Sequence, residues 1–254
     1  MKIIRYCLDG FESYGVLDND KVKQIKGEPF ERIEFTDQVV EFSQVKLLSP
    51  VKPSKIVAVG LNYVSHAKEI NQPIPERPLL FLKPPSSIIN PFDNIVRPKQ
   101  SKQVEFEAEL AIVIKKECRN VAKENAADYI FGFTCVNDVS ARDLQFIESQ
   151  WTRAKSFDTF NPVGPWIETD YDWRNKRLTS TLNGKIMQDS NTNDFIYDVD
   201  EVVSYVSSIM TLMPGDIIPT GTPFGVGPMV SGDVIRIEVE GLGILENGVV
   251  DEDN

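Results

Sequence analysis

The sequence predicts an α+β fold in which β structure dominates. Three observations lead there. Short apolar runs bounded by Gly, Pro, Asn and Asp outnumber helical stretches; strands and helices do not alternate as βαβ units require; and Val234–Val239 sets Ile235, Ile237 and Val239 against Val234, Arg236 and Glu238, one buried face against one wet face, as in antiparallel sheet.

Taken in order, residues 1–50 form a small N-terminal β domain. Ile3-Ile4 and residues 14–17 are strands, Asp18-Asn19-Asp20 is a turn, and residues 22–25 pair back. Pro50 and Pro53 mark residues 49–54 as a linker, and the main domain spans residues 51–254. Residues 55–59 form an apolar strand ending at Gly60, and Asn62 is placed to cap a helix over residues 63–70. Three prolines keep residues 71–78 irregular. Residues 79–82 and 104–114 read as strands, 125–129 as a short helix and 131–136 as a buried strand. Ser140 and Asp143 suit an S-x-x-D cap for a helix that follows. The clearest helix runs over residues 198–213: Asp198 and Glu201 suit its N-terminus, and Val202, Tyr205, Val206, Ile209 and Met213 recur at helical spacing until Pro214-Gly215. Gly215-Asp216 and Gly232-Asp233 are turns that each open a strand.

Composition narrows the chemistry. The 254 residues carry 27 basic and 38 acidic side chains, a net charge of −11, which speaks against a nucleic-acid partner because phosphate backbones demand a positive surface. The charge-free stretches between Glu201 and Asp216 and between Asp216 and Asp233 fall short of the roughly 18 to 20 residues of a spanning helix, so no membrane partner is expected. MKIIRYCLDG has no apolar signal core. The three cysteines, Cys7, Cys118 and Cys135, suit neither a disulfide framework nor a Cys-x-x-Cys knuckle, and a cytoplasmic location is expected. With only one histidine, His66, clustered imidazole metal sites are excluded and any imidazole catalysis must use that residue.

Along residues 104–114, Val104, Phe106, Ala108, Leu110, Ile112 and Ile114 share one face, while Glu105, Glu107 and Glu109 share the other before it turns apolar at Ala111 and Val113. Carboxylates two apart on a strand sit about 7 Å from each other and repel. A solvent face is the simpler reading of such a run. Its continuation into Ala111 and Val113 instead places Glu109 at the border of burial, where like charges need a metal or a proton. Asp138 ends the apolar strand over residues 131–136 and would complete an all-carboxylate site with Glu107 and Glu109, which selects Mg²⁺ or Mn²⁺, with Ca²⁺ also able to occupy it, over zinc.

His66 and Glu69 lie three apart on one helix face, the spacing at which a carboxylate fixes an imidazole tautomer for general-base work. Taken alone, an incidental surface pair is the simpler reading. Lys155, in an aromatic-rich segment, is open to two readings: a snorkelling surface residue, or a charge in a desolvated pocket that holds an anion. The turn from Thr220 through Gly221, Thr222 and Pro223 to Gly227 lacks the Gly-Lys-Ser/Thr of a phosphate loop. What it offers is backbone amides, that of Gly221 among them, that could hold a carboxylate beside the Thr222 hydroxyl.

Together these segments resemble the fumarylacetoacetate hydrolase superfamily from about residue 53 to residue 248. The resemblance rests on Gly60-Leu61-Asn62-Tyr63 with His66 and Glu69; Phe81-Leu82-Lys83-Pro84; Glu105-Phe106-Glu107-Ala108-Glu109-Leu110; Asn137-Asp138-Val139-Ser140-Ala141-Arg142-Asp143-Leu144-Gln145; Lys155-Ser156-Phe157-Asp158; Leu182-Asn183-Gly184; and Thr220-Gly221-Thr222-Pro223 with Gly225-Val226-Gly227. Seven motifs in register are specific where any one is weak. The branch it resembles is that of the acylpyruvases and 2-hydroxyhepta-2,4-diene-1,7-dioate isomerases, although residue 61 is Leu where the family often has Arg.

The resemblance implies a β-sandwich roll with a few helices, usually a homodimer. It places Glu107, Glu109 and Asp138 on the metal ligands, Arg142, Gln145, Lys155 and Thr222 on substrate contacts, and His66 with Glu69 on the acid/base dyad. The expected substrate is a small oxo acid, a 2-oxo or 1,3-dicarbonyl carboxylic acid, processed through a metal-stabilised enolate. Hydrolysis of a C–C bond in an acylpyruvate or fumarylacetoacetate-type acid is the leading expectation. Isomerisation, tautomerisation or decarboxylation at the same site is the alternative, and a non-catalytic metal-binding module is the reading from another class.

Overall fold

The computed structural model describes residues 1–253. An N-terminal meander, β1 (Lys2–Leu8), β2 (Phe11–Asp18), β3 (Lys21–Ile25) and β4 (Phe35–Glu41), is followed by β5 (Lys46–Leu48). The chain continues through β6 (Ile56–Gly60), α1 (Val64–Glu69), β7 (Leu79–Lys83), β8 (Ile88–Ile89), β9 (Asn94–Arg97), β10 (Val104–Phe106), β11 (Ala108–Ile114) and β12 (Ile130–Asn137). Then come β13 (Ser140–Ala141), α2 (Arg142–Ile147), α3 (Thr152–Lys155), β14 (Asn161–Glu168), β15 (Arg177–Leu182), β16 (Lys185–Asn191), α4 (Val199–Ile209), β17 (Ile217–Pro219), β18 (Gly227–Pro228), β19 (Val234–Val239) and β20 (Ile244–Asp251). Strands hold 43% of the chain against 17% in helices, so the fold is α+β with β predominant.

Twelve strands share one sheet in the order β4-β3-β2-β1-β14-β12-β11-β17-β6-β7, with β5 on β1 and β8 on β14. A second sheet runs β16-β15-β19-β20-β9, and a small third one β13-β10-β18. The main core lies between the first two sheets: Ala108, Leu110 and Ile112 of β11 pack in one cluster with Leu178, Ile235, Ile237 and Val239, and Val202 and Val206 of α4 join it. The opposite face of β11 buries Ala111 and Val113 against Ile3, Val163 and Ile217. Period-two alternation therefore holds through β11, with both faces dry.

The N-terminal strands continue the large sheet, since Lys2 and Ile3 of β1 pair with Glu168 and Ile167 of β14. The proline-marked segment is packed rather than loose, with Ser49 and Val51 buried. Asp216, fully buried, locks the junction after it: Oδ1 accepts from the Ser54 amide and hydroxyl, both 2.8 Å, and from the Lys55 amide, 3.1 Å, while Oδ2 accepts from Lys55 Nζ at 2.5 Å and the Met213 amide at 2.8 Å.

Several local expectations are corrected. The single strand over residues 104–114 is two, because the chain changes sheet at Glu107. The helix over residues 125–129 is a 3-10 turn, Lys123–Tyr129. Asp198 does cap α4, accepting from the Glu201 amide at 2.8 Å, but the helix stops at Ile209 because Met210 is already extended. Ser140 and Asp143 form no cap. Asp143 instead accepts from Ser101 Oγ, 2.6 Å, and the Lys102 amide, 2.9 Å, so a distant loop competes successfully for the carboxylate. Among the described residues no helix is long and apolar enough to cross a membrane.

Replacing Asp216 by Ala strands five donors around a buried gap. The Asp216→Ala protein is expected to lose about 3 to 5 kcal/mol of stability in urea unfolding, the range for breaking one side of a buried ion pair; a loss below about 1 kcal/mol would show that the lock is dispensable.

Candidate active site

The change of sheet at Glu107 assembles the acidic cluster. β11 and β12 are antiparallel with Glu109 opposite Val136 and Ala108 opposite Asn137, and the Asp138 amide donates to the Glu107 carbonyl at 2.9 Å just beyond them. Side chains of Glu107, Glu109 and Asp138 thus leave one face together, and their carboxylate oxygens come within 4.8 Å of one another. The solvent-face reading is overturned: Glu105, Glu107, Glu109 and Asp138 are all buried.

Three cations meet this acid. Lys155, at the end of α3, is 2% exposed and donates to Glu107 Oε2 at 2.8 Å and to Asp138 Oδ2 at 2.7 Å, which settles its two readings in favour of a desolvated charge. Lys83, last in β7, donates to Asp138 Oδ1 and to the Phe160 carbonyl. Arg142 spans Glu105 and Glu107 with Nε and Nη2 and donates through Nη1 to Gln145 Oε1 at 2.6 Å. The Ser140 hydroxyl adds a donor to Glu107 at 3.0 Å.

Glu109 has no ion-pair partner among the described residues; its Oε2 accepts from the Gly221 amide at 2.8 Å. The two carboxyls accordingly diverge. Burial alone would raise Glu107, but Lys155 and Arg142 outweigh it and hold that carboxyl well below the usual range. Burial together with the charges of Asp138 and Glu107 pushes Glu109 well above it. Burial lowers Lys83, partly offset by Asp138, whereas Asp138 and Glu107 overcome burial to raise Lys155. Converging hard oxygens with one carboxylate left uncompensated fit a divalent cation of the magnesium or manganese type.

α1 brings the imidazole to the same cavity. His66 is 7% exposed, and its Nδ1 lies 2.8 Å from Glu69 Oε2. Glu69 Oε1 accepts from the Gly225 amide at 2.9 Å, so the carboxylate joins the helix to the glycine-rich turn. The pair is therefore no incidental surface contact. Asn62 does not cap α1; its amide donates to the Thr220 and Tyr197 carbonyls, and Asp194 Oδ2 instead accepts from the Ser65 amide at 3.0 Å. A side chain from a remote 3-10 turn thus seats the helix that carries His66.

The cavity between α1 and the carboxylates has a volume of about 470 Å³ and is lined by His66, Glu107, Glu109, Asp138, Arg142, Gln145, Lys155 and Thr222, among others. Two donors expected to be free are engaged by the protein. Thr222 Oγ1 donates to the Ala108 carbonyl at 3.0 Å and accepts from Gln188 at 2.8 Å, and the Gly221 amide faces Glu109. Gly221, at φ +96°, has room for no side chain: a Cβ would lie 2.8 Å from that of Asn62. Sequence reasoning gave no role to Lys83 or to the pairing of Glu105 with Arg142. A lysine closing an apolar strand was the available signal for the first.

The model of the family described as fumarylacetoacetate (FAA) hydrolase C-terminal matches residues 55–250, and that described as Rv2993c-like, N-terminal matches residues 1–50. A solved 5-carboxymethyl-2-hydroxymuconate delta-isomerase from Mycobacterium smegmatis superimposes with a TM-score of 0.95 at 42% identity over 99% of this chain and 100% of that one. The mitochondrial oxaloacetate tautomerase FAHD2A of Bos taurus is 43% identical over 84% of this chain and 72% of its own length. Maleylpyruvate hydrolase from Sphingobium sp. SYK-6, solved in complex with manganese (II) ion and pyruvate, superimposes with a TM-score of 0.83 at 32% identity over the full length of both chains.

In the absence of a bound cation, Glu109 ties pH to stability. Its folded carboxyl titrates above the unfolded one, so the stabilisation it contributes is full below the unfolded pKa of about 4.5 and is lost as pH rises through the folded value. Glu109→Gln is expected to abolish that loss, so that its melting temperature exceeds the parent's by a margin that widens as pH rises above the unfolded value. A margin independent of pH in thermal unfolding would contradict the assignment.

Proposed function

This chain belongs to the fumarylacetoacetate hydrolase family, and we propose that it is a divalent-metal-dependent enzyme that moves a proton at the carbon next to the oxo group of a 2-oxo or 1,3-dicarbonyl carboxylic acid. The observation that carries this reading is the His66–Glu69 hydrogen bond on the wall of a cavity that also exposes the buried carboxylate triad. A metal-binding module would need the triad alone.

Glu107, Glu109 and Asp138 would hold the cation. Once bound, it would act as a Lewis acid toward the negative charge that develops on the oxo acid. The residues of the chain supply the rest. Four buried carboxylates face three buried cations, so a divalent cation with Glu109 ionised leaves the cluster with one net positive charge, which favours an anionic substrate in a low-dielectric cavity. Lys155 and Arg142 are already held by Glu107 and therefore meet a substrate carboxylate in fixed positions, without ordering cost. Glu69 fixes the ring and tautomer of His66 by its bond to Nδ1, leaving Nε2 to take up and return the proton.

Proton transfer without bond cleavage, as keto-enol tautomerisation or double-bond isomerisation, is supported by the relatives named as a tautomerase and an isomerase, which are nearer in sequence than the hydrolase. C–C hydrolysis, with His66 activating water, is the second reading, supported by that hydrolase and its bound pyruvate.

Turnover of oxaloacetate, acylpyruvates or hydroxymuconate-type diacids is expected in the presence of Mg²⁺ or Mn²⁺ and is expected to vanish with chelator. His66→Ala should lower kcat/KM on the order of 10² to 10⁴-fold while leaving metal affinity intact. Full activity in that variant would remove His66 from the mechanism, and the absence of chelator-sensitive turnover across the panel would favour a non-catalytic module.

A further inference from the structure

The cavity has two chemically different ends. One holds the acidic cluster with Arg142 and Lys155; the other is walled by Leu61, Leu79, Phe81 and Trp151. Given the oxo-acid reading above, on which this inference rests, we propose that the substrate's end remote from its oxo-acid head is uncharged and planar, and that Phe81, Trp151 and Leu61 select it.

The apolar wall is built rather than incidental. Phe81 and Trp151 meet edge to face, with ring centroids 5.3 Å apart and planes at 72°. Trp151 lies directly on the backbone of Gly60, where a Cβ would come within 2.7 Å of Cζ3 and 3.1 Å of Cη2, so any larger residue at position 60 would push the indole out of place. Leu61 follows at φ +53°, a left-handed conformation that Gly or Asn adopts more easily than Leu. A branched apolar side chain held there at conformational cost is explained by the surface it presents to the cavity.

Position and charge then decide what the wall meets. Lys155 Nζ stands 5.2 Å from the centroid of Phe81, so the aromatic wall begins where the ionic end stops. A 2-oxo acid with its head at the ionic end would extend its remote carbons toward Phe81 and Trp151. The face of an aromatic ring carries negative quadrupole charge, which disfavours a carboxylate and favours a flat apolar group. The cavity-lining groups able to carry positive charge are Arg142 and Lys155, which sit in the acidic cluster at the ionic end, and His66, which is held by Glu69; none belongs to the apolar wall. A second carboxylate at the apolar end would be desolvated without a partner. The volume of about 470 Å³ also exceeds what a four-carbon acid fills.

The test compares 4-phenyl-2,4-dioxobutanoate with oxaloacetate on the full chain loaded with Mn²⁺, by turnover and, in parallel, by titration calorimetry. The phenyl acid is expected to lead in kcat/KM and in affinity by about tenfold or more, the scale of discrimination an apolar pocket provides. In Trp151→Leu, and independently in Phe81→Leu should the first fail to fold, that ratio should fall toward one. A preference for the diacid, or an unchanged ratio in a folded variant, would overturn the proposal. Tighter binding of the phenyl acid with no turnover of either acid would instead support the subsite while removing the catalytic reading. Equal binding of the two acids would remove the subsite whatever the turnover.

Discussion

Four carboxylates and three cations are buried together where β11 begins and β12 ends, and the burial of so many charges depends on their lying side by side. Each buried ion loses hydration worth several kcal/mol, which only close opposite charges and well-aimed donors restore. The geometry meets that demand almost fully: Lys155 bridges two acids, Arg142 bridges two, and Lys83 closes the remaining side of Asp138. Glu109 is the exception. Its partial satisfaction by a single backbone amide leaves the cluster one positive charge short, a deficit that a bound cation would make good.

Much of the surrounding architecture serves to hold this cluster in place. The sheet switch at Glu107 turns three carboxylates toward a common point, and β7, α2 and α3 each deliver one cation from a different side. The glycine-rich turn, expected to receive a substrate carboxylate, is committed to the protein instead: Gly221 holds Glu109, Thr222 is clamped between Ala108 and Gln188, and Gly225 holds Glu69. One turn thereby sets the separation between the buried carboxylates and the imidazole. Under the proposed function, substrate recognition would pass to Arg142, Lys155 and the apolar wall.

The expectations that failed share a cause. By sequence Asn62 and the Ser140–Asp143 pair read as local helix caps, because such residues commonly bond within a few positions of themselves. In the folded chain Asn62 is bonded to residues more than 130 positions away, and Asp143 to Ser101 and Lys102, because the fold brings distant donors and acceptors into better geometry than the local ones. Lys83 follows four apolar residues on its strand, and only the approach of Asp138 and the Phe160 carbonyl gives it an electrostatic role.

The sequence by itself determined the class of fold, the period-two alternation of residues 104–114, the restriction of imidazole chemistry to His66 and the candidacy of Glu107, Glu109 and Asp138. All of these follow from residue type and short spacing, which local geometry converts directly into shared faces. Tertiary structure alone decided that those acids are buried, that three lysine and arginine side chains face them, that Glu109 is the uncompensated member and that Phe81 and Trp151 line the same cavity. Charge compensation and desolvation depend on groups brought together from across the chain, and spacing along the sequence carries no direct record of those distances.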